Sequence, residues 1–133
     1  MRAICIANDI GQIDPGTAMR LRTRIRVEGP LTELQIGGEY AVFALAVERG
    51  EVLIFLHTVE DLWFPSPFPI ELFRLSDSSL GSDWVVRRIP QTPCDLVAAP
   101  PIWSEDPTFY ERLVAGDQEA VSWFRRLQSA SSG

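Results

Sequence analysis

The sequence predicts one α+β domain: an antiparallel small β-barrel or strongly curved sheet over residues 1–89, followed by two short helices. Three observations predict it. Glu39 to Glu48 and Val52 to Thr58 are apolar runs joined by Glu48-Arg49-Gly50-Glu51, the composition of a tight hairpin. Gly37-Gly38 stands at the entry to the first of these runs, where a barrel corner needs positive φ or a bulge. Beyond residue 105 the apolar spacing changes from two residues to four, the helical period.

The elements follow in order. Arg2 to Ala7 reads as a short strand and Asn8 to Gly16, with Asn-Asp and Asp-Pro-Gly, as a loop. From Ala18 to Val27 arginine alternates with Leu21, Thr23, Ile25 and Val27, which predicts a half-buried strand whose outer face carries Arg20, Arg22, Arg24 and Arg26. Glu39 to Glu48 is apolar on both faces and is expected at the centre of the sheet, with Val52 to Thr58 as its partner. Glu60 to Pro69, with Trp63, Phe64, Phe68 and three prolines, cannot be a central strand. Ile70 to Leu75 and Trp84 to Ile89 complete the sheet around a turn at Asp77 to Asp83.

Residues 90–104 read as a Pro-rich surface connector and residues 105–128 as a helical tail, with 129–133 frayed. Asp106-Pro107 is a cap-and-proline start for one helix, ended by Gly116, and Asp117 caps a second in which Ala120, Phe124 and Leu127 share a face. Residues 1–128 thus form a single domain.

Composition narrows the function. The 133-residue chain has 46% hydrophobic residues, enough for a core without staples. Its apolar runs are short of a membrane span, and Met1 to Asp9 is too short an apolar stretch for a signal peptide, so a cytoplasmic location without membrane contact is expected. Two cysteines make no disulfide framework. The twelve basic residues are all arginine, which excludes lysine Schiff-base chemistry. The net charge of −6 disfavours non-specific nucleic-acid binding and favours a basic partner. It is uneven: five arginines and two acids over residues 1–27 give +3, and seven arginines and sixteen acids over 28–133 give −9.

Ala3-Ile-Cys-Ile-Ala-Asn8, Leu34-Gln-Ile-Gly37-Gly-Glu-Tyr40-Ala-Val42 and Leu72-Phe73 resemble the small bacterial and phage SH3-like barrel proteins over roughly residues 2 to 76. Gly38 stands where those chains carry lysine, and the Arg-rich stretch is an addition. Tyr40-Ala-Val-Phe-Ala-Leu45, Trp63-Phe-Pro-Ser-Pro67, Leu72-Phe73 and Ser82-Asp-Trp84 are also similar to immunity proteins of bacterial toxin systems. That resemblance implies a small acidic inhibitor that binds and blocks a cognate toxin; with no P-loop, dinucleotide fingerprint, nucleophile elbow or metalloprotease motif in the sequence, no catalytic residues and no cofactor are expected. A fold alone fixes no function.

Two surfaces are the candidate sites. Glu60-Asp61-Leu62-Trp63-Phe64 joins carboxylates to aromatic anchors, the chemistry of a tip that binds a basic protein, with Glu48 and Glu51 at the hairpin as further contacts. The bland reading is a loop whose rings fold back onto the barrel end. Arg20, Arg22, Arg24 and Arg26 on one strand face would meet successive phosphates, with Trp or Phe stacking on bases; the bland reading is a solvated face paired with neighbouring acids. His57 is the only histidine, so no zinc site is expected, and it reads as a structural residue. An enzyme using Cys94 or His57 ranks last, since no nucleophile motif flanks either.

Overall fold

The computed structural model describes residues 1–24, 29–89 and 94–131; of Arg24, Cys94 and Ser131 only the backbone is described. Arg26 therefore lies outside the described residues. The architecture is α+β: a seven-stranded antiparallel sheet that does not close, with four α-helices among the described residues.

Strand β2 (Glu39–Glu48) organises everything else. Its ten residues are apolar on both sides, and it uses both edges. One edge pairs with β3 (Glu51–Leu56). The other is shared: Glu39 to Ala41 pair with β1 (Arg2–Cys5), and Leu45 to Glu48 pair with β7 (Cys94–Ala99). A register shift between Val42 and Ala44 falls between those two pairings and lets one long strand serve two diverging halves of the sheet. β4 (Ser66–Pro69) continues beyond β3, β5 (Phe73–Asp77) beyond β1, and β6 (Val85–Arg88) beyond β7. β4 holds Pro67 and Pro69 and pairs only with β3, which is where proline is tolerated.

The β2–β3 turn is set by backbone chemistry. Arg49 and Gly50 have φ of 52° and 79°. Positive φ at both central residues is a type I′ turn, whose twist matches the strands it joins. Gly37, at φ 88°, supplies the positive φ expected before β2: its N–H donates to the Cys5 carbonyl, and the Cys5 N–H donates to the Gly38 carbonyl.

The helices are α1 (Pro15–Arg24), α2 (Pro101–Ser104), α3 (Phe109–Val114) and α4 (Gln118–Ser131). Three expectations are corrected here. The arginine strand is a helix. Asp14 caps it, accepting from the Thr17 N–H at 3.0 Å, and Pro15 occupies the first helical position. The buried Ala18 and Leu21 then pack on Ile10, so helical spacing prevails over the alternation. The connector at 90–104 is not a linker. Prolines sit at 90, 93, 100 and 101, outside the strand, and the apolar run between them forms β7, paired on both edges with β2 and β6. Lastly, Ile70–Leu72 is a single 3-10 turn, and β5 starts only at Phe73.

The tail follows the sequence more closely. Asp117 caps α4 through the Ala120 N–H at 3.1 Å. α3 begins at Phe109, two residues after Pro107, because Asp106 folds a turn onto the Thr108 N–H and hydroxyl first. α4 runs to Ser131, further than the frayed end expected from residue 129.

Two cores result. One lies among the strands and the segment after α1, with Ala3, Cys5, Leu34, Ile54, Leu56 and Leu72. The other lies under α2, α3 and α4, where Phe43, Phe55, Trp103, Phe109 and Phe124 meet the sheet. No helix among the described residues is long and apolar enough to cross a membrane.

Candidate functional site

The six residues expected to bind a partner fall at two ends of one strand. Glu48 and Glu51 pair across the hairpin, and Trp63 and Phe64 follow the far end of β3. Six residues at about 3.3 Å each separate the two ends by about 20 Å. They are not one site.

At the loop end, Trp63 is fixed but not hidden. Its Nε1–H donates to the Leu113 carbonyl at 3.0 Å, and its ring meets Phe64 edge-on with centroids 5.6 Å apart. It remains 42% exposed. Phe64 turns inward and packs against the aromatic core. The loop is closed on itself: the Leu62 N–H donates to the Val59 carbonyl, and His57 Nε2 lies 2.6 Å from the Leu62 carbonyl. A carbonyl only accepts, so Nε2 carries the proton. With its ring also against Phe124, His57 is a structural residue. Glu60 and Asp61 are exposed and make no ion pair among the described residues. Val59 and Val114 are exposed beside them, and a cleft of about 500 Å³ runs from Trp63 along Val121, Ser122 and Arg125.

At the hairpin end, Glu51 is not a contact residue. It is 3% exposed and accepts from Arg20 Nε at 2.9 Å. Arg20 also meets Glu71 at 2.5 Å, so α1 is pinned to the sheet by one guanidinium between two carboxylates. Those bonds, Glu51's first, hold the Arg20 guanidinium above its ordinary pKa. Arg20 and Arg22, two residues apart on a helix, point about 200° from one another. Arg20 and Arg22 therefore do not share the single face that a strand would have given them. Cys5 is buried, which raises its thiol pKa, and its Sγ donates to the Ala7 carbonyl. No metal-binding group of His, Cys, Asp and Glu occurs among the described residues.

Glu48 leads to a site that the sequence did not reveal. It lines a pocket of about 240 Å³ together with Phe55, Trp103, Asp106, Tyr110 and Glu111. Trp103 and Tyr110 stack with planes 16° apart, and Phe55 meets both edge-on at 5.0 Å. The Tyr110 hydroxyl donates to the Pro65 carbonyl at 2.7 Å, and burial raises its pKa to about 12, so it stays neutral and presents a ring face. At the rim Asp106 is held below its ordinary pKa, first by the Thr108 hydroxyl and N–H and then by Arg112. Trp103 was hidden from sequence reasoning because its segment looked like a surface linker. Asp106 reads in the sequence as a helix cap, and no motif singles out Glu111.

Comparison with known proteins finds no match: no family model, no curated protein and no solved structure corresponds to this chain.

Proposed function

We propose that this protein acts by binding another protein, and that its partner is basic: in the most specific form, an immunity- or antitoxin-like inhibitor that covers the active site of a cognate toxin domain. The observation that carries this is the held, half-exposed Trp63 beside Val59 and Val114, with Glu60 and Asp61 unpaired among the described residues. A rigid aromatic anchor loses little side-chain entropy on binding, and flanking carboxylates select the sign of the partner. The net charge of −6 steers such a partner in over long range. The SH3-like resemblance belongs to the same reading, and the residues that carry it fall on β1, β2, the segment before β2 and the start of β5.

Charge reversal tests it. Glu60→Arg with Asp61→Arg is expected to abolish capture of the partner from host extract while leaving the thermal midpoint in place. Unchanged capture by this variant would remove the loop from the binding surface. A large secreted toxin encoded directly upstream is expected on the same grounds.

A further inference from the structure

We propose that the pocket lined by Glu48, Phe55, Trp103, Tyr110 and Glu111 receives an arginine side chain of the basic partner. This rests on the protein-binding reading and adds a second anchor point, separate from Trp63.

Size comes first. At about 240 Å³ the pocket lies below the roughly 300–1,000 Å³ of small-molecule sites, and it suits one extended side chain. Its walls combine the rings of Phe55, Trp103 and Tyr110 with Ala46, Pro67, Ile89 and Val97, and the Tyr110 hydroxyl is already engaged by Pro65. Its rim is acidic. Asp106 is neutralised by Arg112 at 2.8 Å, but Glu48 and Glu111 make no ion pair among the described residues. Aromatic walls beneath two free carboxylates attract a cation that can shed water.

The molecule contains the same recognition in satisfied form. Arg112 lies over the Phe109 ring with Cζ 5.9 Å from its centroid, while its terminal nitrogens meet Asp106 at 2.8 Å and Asp117 at 3.2 Å. The pocket offers that chemistry again, with Tyr110, backed by the buried Trp103, for the ring and Glu48 and Glu111 for the carboxylates. Arginine fits better than lysine because its planar, weakly hydrated head both stacks and bonds two acceptors.

The test is a titration of the full-length chain with N-acetyl-arginine methylamide, read by the Trp103 indole NMR signal. A saturable shift is expected, weaker with the lysine analogue and absent with the norleucine analogue. Glu48→Gln with Glu111→Gln should weaken the arginine probe roughly tenfold, as expected when charge-assisted bonds are lost. No saturable shift, an equal shift from norleucine, or an unaffected double variant overturns the proposal. Partner capture separates it from the reading it rests on. If wild type and the double variant capture the same protein equally well, the pocket is not the anchor and protein binding stands. If wild type captures only nucleic acid, both fall.

Discussion

The two cores are packed from different materials, and only one of them opens toward candidate binding surfaces. The strand-lined core is mainly aliphatic: Leu34, Ile54, Leu56 and Leu72 are fully buried around Ala3 and Cys5. The helix-covered core sets five large rings, Phe43, Phe55, Trp103, Phe109 and Phe124, against Ala44, Ala46, Ala99 and Ala120. Branched aliphatics adjust by rotamer and fill space. The rings of Phe55, Trp103 and Tyr110 meet one another at the edge of this core, and together with Ala46, Ile89 and Val97 they line the pocket beside Glu48. The exposed Trp63 also hangs from this core, through Leu113 and Phe64. Both proposed binding surfaces thus rest on the aromatic core, and neither rests on the aliphatic one.

The largest predicted effect breaks the aromatic side. Phe124 is fully buried and meets Phe43 edge-on at 5.0 Å. Phe124→Ala should cost about 3–5 kcal/mol in denaturant unfolding, whereas Ile54→Val in the other core should cost about 0.5–1.5 kcal/mol. The Phe variant should also loosen the His57 loop, seen as faster amide exchange from residues 57 to 63. Next comes Gly81→Ala. A Cβ there would sit 2.1 Å from Trp84 Nε1, so the indole must move, at about 1–3 kcal/mol, and Trp84 fluorescence should change with it. Asp117→Ala removes the α4 cap at Ala120 and should lower stability by about 1 kcal/mol in the same unfolding assay.

The smallest effect is a matter of pH. Asp106 titrates below its ordinary value, so its contribution is present above the unfolded carboxylate pKa of about 4 and is lost as pH falls through the lower folded value. The stability difference between wild type and Asp106→Asn should thus be greatest near neutrality and shrink on acidification. A constant difference would mean that Asp106 acts by shape alone.

Two Asp-Pro pairs show how far the sequence could be read. At Asp106-Pro107 the cap-and-proline rule predicted a helix start, and the helix begins two residues later. At Asp14-Pro15 the same rule holds to the residue, where the loop composition and the Arg20 to Arg26 alternation point to a loop and a strand. Period two and period 3.6 both fit so short a segment, and packing of Ala18 and Leu21 on Ile10 decides between them. β2 was legible end to end because two-sided apolar character admits only a central strand. β7 was not, because flanking prolines mimic a linker when a strand lies between them.

The candidate sites were legible as chemistry but not as geometry. Trp63, Glu60 and Asp61 are exposed at the surface expected of them. Glu51 carries the expected residue type with the opposite role, buried under Arg20, and only the α1–sheet packing reveals that. The arginine pocket joins residues 48, 55, 103, 110 and 111 across four elements, a separation no local motif spans.

The most direct measurement is a nuclease-treated pull-down from host extract, run with tagged wild type and with Glu60→Arg, Asp61→Arg at low and moderate salt. The account predicts one stoichiometric basic protein on wild type, resistant to nuclease and lost from the variant. Equal capture by both chains, or recovery of nucleic acid that disappears with salt, would contradict it.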